Sequence, residues 1–111
     1  MIAGQQEYES AGAAVEEAQG NYDDAREHGY PYKESIALKQ AEATMQDVVK
    51  QYPVAAAFGK AQGWAMASND RKVTAGKRAV ARIESGEDYK IVIKEMEAEW
   101  TEAAGKAVSN A

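Results

Sequence analysis

Residues 53–68 read PVAAAFGKAQGWAMAS, and we expect the rest of the chain to be organised around this stretch. Its only polar side chains are Lys60, Gln62 and Ser68, so a helix over this stretch is apolar around most of its circumference. A helix of that kind is normally buried in a protein core. It is too short to span a bilayer, which needs roughly 20 apolar residues. The stretch therefore predicts the central helix of a small helical bundle.

Small residues recur at every fourth position of this stretch, at Ala55, Gly59, Gly63 and Ala67. Because four residues turn a helix by about 400°, these positions form one stripe along its surface. A stripe with so little side chain lets another helix come close. We interpret it as a close-packing contact inside the protein. A docking face for a second copy or for a partner helix is the alternative.

Four further helices are predicted from apolar residues that recur at three- and four-residue spacing. They cover residues 5–28, 33–51, 70–84 and 87–108. Their apolar seams comprise Tyr8, Ala11, Val15, Ala18 and Tyr22; Leu38, Ala41, Met45, Val48 and Tyr52; Val73, Gly76, Val80 and Ile83; and Tyr89, Val92, Met96, Trp100, Ala103 and Ala107. Residues 89–94 also alternate partly with period two, which suits a short strand, but the continuing helical spacing favours a helix.

Prolines and capping residues mark the boundaries between these helices. Pro31 and Pro53 suit first helical turns, and the residue before a proline is pushed out of helical geometry. The sequence Ser68-Asn69-Asp70 offers N-capping side chains for a helix that begins near residue 70. We therefore expect an all-α bundle of four to five helices.

The length and composition limit which class of protein this can be. A chain of 111 residues predicts a single helical domain over residues 1–111, in which residues 1–28 are docked loosely because Gly12 and Gly20 weaken that helix. The chain has no cysteine, which excludes disulfides and thiolate sites and suits the cytoplasm. Its N-terminus lacks the basic and apolar regions of a signal peptide. No membrane association is expected.

The net charge of −5 is distributed unevenly along the chain. Residues 1–59 carry a net charge of −6, residues 60–94 carry +4 and residues 95–111 carry −3. Charge asymmetry of this kind bears on partners and association rather than on fold.

Basic residues concentrate between residues 71 and 83, where no acidic residue occurs. At 100° per residue, Arg71, Arg78 and Arg82 lie on one face of the predicted helix, within about 40° of one another, and Lys72 and Lys77 flank them. The apolar seam of this helix predicts that the three arginines point to solvent. Such a stripe can clamp carboxylates or phosphates, so it is the candidate partner-binding surface. A solvated face that balances the acidic ends of the same chain is the plainer interpretation.

No arrangement of residues predicts catalysis. Asp24 and His28 are four residues apart, as two metal ligands could be, but a site needs three or four ligands and the chain has one histidine. The sequence around Gly76 and Lys77 lacks the other residues of a phosphate-binding loop. We expect no catalytic residue, no metal site and no cofactor.

These observations favour a non-enzymatic protein–protein interaction module. It would be a small adaptor, inhibitor or regulator that occludes a larger protein partner, in the style of phage and mobile-element proteins; homo-oligomerisation is left open. The alternative is a nucleic-acid-associated protein. Either its arginine stripe would bind phosphate, or its acidic face would imitate nucleic acid and bind a basic nucleic-acid-handling protein.

Overall fold

The computed structural model describes residues 2–109, with side chains described for residues 2–101. Within that range the protein is all-α, as predicted, and contains five helices and no strand. The helices are α1 (Gln5–His28), α2 (Tyr32–Gln51), α3 (Pro53–Ala65), α4 (Asp70–Glu84) and α5 (Tyr89–Ser109). Residues 89–94 are therefore helical, as their spacing favours.

Capping side chains define where α4 and α5 begin, at α4 within the predicted Ser68-Asn69-Asp70 cluster and at α5 two residues later than predicted. The side-chain oxygen of Asn69 accepts hydrogen bonds from the backbone N–H groups of Arg71 and Lys72, at 3.0 and 3.3 Å. The Asp88 carboxylate accepts one from the N–H of Lys90 at 2.9 Å. These bonds satisfy N–H groups that have no partner inside the first helical turn. Between α2 and α3, Tyr52 takes φ −128° and ψ 67°, which is the non-helical geometry that a following proline imposes.

A tight turn joins α4 to α5. The N–H of Gly86 donates to the carbonyl of Ile83, and the N–H of Glu87 donates to the carbonyl of Arg82, both at 3.1 Å. This pair of bonds is the Schellman motif, and it requires a left-handed residue at Gly86, whose φ is 92°. The turn is short, so it sends α5 back along α4.

The chain divides into two compact units, Ala3–Ala55 and Ala56–Ala111. In the first unit α1 and α2 pack against each other along the two predicted seams. Ala11 and Ala18 are buried there, whereas α2 has no fully buried residue. The seam is thin because alanines supply much of it. The single domain predicted over residues 1–111 stays a prediction, and so does the loose docking of residues 1–28.

The second unit contains the larger apolar core. Its buried residues come from α3, α4 and α5 and comprise Ala57, Phe58, Ala61, Ala75, Ala79, Ile83, Val92 and Met96. Alanine contributes half of these positions, so the helices approach closely and little side-chain volume fills the space between them. Ala103 and Ala107, which the sequence places on the seam of the last helix, lie outside the residues whose side chains are described.

The predicted central helix over residues 53–68 is not confirmed. The helix ends at Ala65, and the next two N–H groups bond back to carbonyls three or four residues earlier, which closes the last turn. Met66 then lies 85% exposed. The apolar residues Met66 and Ala67 therefore belong to a connection and not to a buried helical surface.

The close-packing stripe is wrong at Gly63. That residue is exposed, and a Cβ atom built on it would meet no atom within 4 Å. Ala55 is buried, Gly59 is half-buried, and Ala67 follows the end of α3, so the four residues do not form one continuous helical contact.

The close approach between helices occurs at Gly76 of α4 instead. A Cβ atom at Gly76 would lie 2.4 Å from the backbone nitrogen of Ala65, 2.8 Å from the carbonyl oxygen of Ala61 and 2.8 Å from the carbonyl carbon of Trp64. These are backbone atoms of α3, which cannot rotate away as a side chain could. Gly76 is thus the position where α4 packs directly against the backbone of α3.

We expect Gly76→Ala to lower the free energy of unfolding by about 1–3 kcal/mol, because α4 must shift away from α3 to make room for the methyl group. Gly63→Ala is the matched control: the same change on the open side of α3 should raise it by up to about 1 kcal/mol, since alanine is the better helix former. Urea titration followed by the fluorescence of Trp64 and Trp100 measures both. A Gly76→Ala protein at least as stable as the parent would contradict the contact.

Candidate functional site

The arginine stripe lies along one edge of α4, beside α5. The residues of α4 that are buried are Ala75, Gly76, Ala79 and Ile83. At 100° per residue, the three arginines lie roughly 90° from the centre of this buried face, on its flank and not opposite to it. The buried face is rotated from the predicted one because α4 turns its small residues toward α3, while Val73 and Val80 are only half-buried.

Two of the three arginines are bound by carboxylates of the same unit. Arg82 contacts Glu95 through Nη1 at 2.5 Å and Glu87 through Nη2 at 2.9 Å. The Nη1 atom of Arg78 donates to both carboxylate oxygens of Glu99, at 3.1 and 3.0 Å. The hydrogen bonds from Arg82 to Glu95 and then to Glu87 raise the pKa of the Arg82 guanidinium above its usual range. Arg71 and Arg78 are nevertheless exposed, as predicted, whereas Arg82 is half-buried between Glu87 and Glu95, so the prediction that all three point to solvent is wrong for Arg82.

Lys72 is also held within the second unit. Its Nζ atom lies 5.1 Å from the ring centroid of Trp64 and 5.1 Å from that of Trp100. The two rings meet edge to face with centroids 6.4 Å apart, so the ammonium group sits over two aromatic surfaces at once. Of the predicted partner-binding residues, Arg71, Lys77 and Arg78 are exposed, and Lys72 and Arg82 are half-buried. A partner-binding role for the stripe stays a prediction.

A second candidate surface, which the sequence analysis did not identify, is a groove between α3 and α5. We call it the lysine groove; it has a volume of about 470 Å³ and is lined by Ala56, Ala57, Lys60, Tyr89, Lys90, Ile93, Lys94 and Glu97. Its floor is made of alanine, tyrosine and isoleucine side chains. Three lysines and one glutamate stand around it, and Lys60 forms an ion pair with Glu97.

The lysine groove brings together residues that are far apart in sequence. Lys60 is an isolated polar residue in the apolar α3, while Lys90 and Lys94 lie about thirty positions later. The available signal was the spacing of Lys90 and Lys94, since residues four apart share one helix face. Which face of α3 meets that face depends on packing, so the sequence did not show Lys60 beside them.

No constellation of metal ligands occurs among the described side chains: none of them form a group of three or more His, Asp or Glu residues close enough to hold an ion. His28 and Asp24 contact each other as an exposed pair, with His28 Nδ1 3.8 Å from the carboxylate and 2.8 Å from the backbone carbonyl oxygen of Asp24. This arrangement suits a helix-end interaction and provides two potential ligands only.

Comparison with known proteins finds no match to a family model, a curated protein or a solved structure. Within the described part of the chain, none of the helices combines the length and the apolar character needed to cross a membrane.

We expect Arg82→Glu to destabilise the second unit, because it places a third carboxylate against Glu87 and Glu95. The control is Lys77→Glu, which makes the same charge change at an exposed position of α4. Arg82→Glu should lower the urea midpoint more than Lys77→Glu does, and adding Glu95→Arg should restore part of the loss. Equal midpoints for the two single variants would show that the ion pairs do not contribute to stability.

Proposed function

We propose that this protein is a non-enzymatic protein–protein interaction module, a small adaptor, inhibitor or regulator that acts by occluding a larger partner. The observation that carries the proposal is the lysine groove, an open, largely apolar concavity with charged side chains around it. Removal of apolar surface from water is the main favourable contribution to most protein–protein association. The cytoplasmic location expected from the absence of cysteine belongs to the same proposal.

The chemistry of the groove supports recognition and offers little for catalysis. Its lysines are exposed, and its one carboxylate is already paired with Lys60. Exposed lysines around an apolar floor speed encounter and select a partner of opposite charge, while the floor holds the partner once it has arrived. This division between rim and floor is typical of protein interfaces.

Of the two nucleic-acid alternatives, phosphate binding by the arginine stripe is weakened and imitation of nucleic acid by an acidic face is supported. Phosphate binding by the arginine stripe would have to displace the carboxylates that hold Arg78 and Arg82. Imitation of nucleic acid by an acidic face is favoured by α1, in which every carboxylate is exposed: Glu7, Glu9, Glu16, Glu17, Asp23, Asp24 and Glu27. An acidic mimic remains our second candidate function on that observation.

The test of the proposed function is capture of a partner from a lysate of the native host by tagged variants of equal charge. We expect Lys90→Glu/Lys94→Glu to lose the captured protein, because reversed charge at the groove repels what the lysines attract. The control Lys33→Glu/Lys39→Glu makes the same change on exposed positions of α2 and should retain it. Mass spectrometry quantifies the captured protein, and circular dichroism verifies the fold of each variant.

Two further variants separate the candidate surfaces. Loss of capture only in Arg71→Glu/Lys77→Glu would assign the partner to the arginine stripe and overturn the role of the groove. Loss only when carboxylates of α1 are neutralised, as in Glu16→Gln/Glu17→Gln, would favour the acidic mimic. Retention of the same partner by all of these folded variants would contradict every surface considered.

A further inference from the structure

The lysine groove has two helical walls of different character. The α3 wall presents Ala56, Ala57 and Lys60, so one helical turn on this side is almost flat. The α5 wall runs from Tyr89 to Glu97 and is about 12 Å long at 1.5 Å per residue. A groove whose longer wall spans about two helical turns, and whose other wall carries small alanine side chains, gives room for a third helix.

Three lysines and one glutamate line the groove, so its excess charge is positive. Lys60 stands on the α3 wall and is balanced by its ion pair with Glu97. Lys90 and Lys94 stand one turn apart on the α5 wall and are exposed. Lys90 also lies 5.9 Å from the ring centroid of Tyr89, which orients it along the rim. An occupant that brings carboxylates to this rim gains two charge contacts without separating the Lys60 pair.

We infer that the lysine groove binds an acidic amphipathic helix of a partner protein, an inference that rests on the proposed function. The occupant has apolar side chains at i, i+3 or i+4, and i+7 that enter the groove over Ala57 and Ile93. Its acidic residues flank this stripe and meet Lys90 and Lys94. Charge complementarity and the apolar floor together select this occupant.

Other chemistries fit the groove less well. An extended peptide that adds to a sheet needs a strand edge, and the described residues contain no strand. Single-stranded nucleic acid needs aromatic side chains on which successive bases stack, and Tyr89 is the only aromatic residue among the described residues that line the groove. A basic helix would place its charge against the lysines.

The test uses labelled peptides of about 18 residues, which is long enough for a helix to form in isolation. The first peptide is an amphipathic helix of leucine and glutamate with leucines at i, i+3, i+4 and i+7. The second has the same composition in scrambled order, so its charge is equal but its apolar stripe is lost. The third keeps the stripe and replaces each glutamate with lysine. Fluorescence anisotropy with the full chain measures the Kd of each.

We expect saturable binding of the first peptide alone, weakened by about tenfold or more in Lys90→Glu/Lys94→Glu and unchanged in Lys33→Glu/Lys39→Glu. Higher salt should weaken it too, since the charge contacts are exposed. Equal binding of the scrambled peptide would show that charge alone acts and overturn the helical occupant. Binding of the lysine peptide, or no binding of the acidic one, would also overturn the inference.

Three outcomes point to other occupants and likewise overturn it. If an oligothymidine probe binds in place of the acidic peptide and loses its binding in Lys90→Glu/Lys94→Glu, the groove variant, that result would assign the groove to nucleic acid. Concentration-dependent self-association in sedimentation, abolished by the groove variant, would assign it to a second copy. If the groove variant loses the lysate partner but no acidic peptide binds, the proposed function stands and only the helical occupant fails.

Discussion

The contact between Gly76 and the backbone of α3 is the constraint on which the second unit depends. Glycine inside a helix costs about 1 kcal/mol relative to alanine, so its presence in the middle of α4 is unfavourable by itself. The close packing of α4 on α3 offsets this cost, and only glycine permits it, because a side chain at this position would overlap backbone atoms of Ala61, Trp64 and Ala65. Two helices that touch at backbone level have few ways to slide or rotate, so this contact fixes which face of α4 is buried.

The ion pairs between α4 and α5 follow from that rotation of α4. Once Ala75 and Ala79 turn inward, Arg78 and Arg82 reach the edge where α5 carries Glu95 and Glu99. Exposed ion pairs contribute modestly to stability, and the apolar core supplies most of it. They also engage two arginines of the predicted partner-binding stripe. The lysine groove is therefore our preferred candidate surface.

The two units differ in how they display charge. In the first unit, α1 exposes all of its carboxylates and packs on α2 through a thin seam. In the second, the acidic residues of α5 are largely used by basic residues of α3 and α4, which leaves Lys90 and Lys94 of the lysine groove exposed. The two candidate functions use surfaces of opposite charge. The acidic surface of α1 suits a nucleic-acid mimic, and the lysine groove suits a protein-interaction module.

The sequence by itself determined the all-α class and most helix boundaries, because these depend on local chemistry. Pro53 at the start of α3, the Asn69 side chain and Gly86 each act on their own turn of backbone, and periodic apolar residues identify the seams of α1 and α2. The end of α3 was predicted three residues too late because Met66 and Ala67 are apolar and carry no local signal that ends a helix. Only the tertiary structure decided which small residue makes the close contact, since Gly63 and Gly76 look alike in sequence and differ in what stands opposite them. It also decided which cations are engaged and which line a groove, because Lys60 and Lys94 become neighbours only when α3 packs on α5.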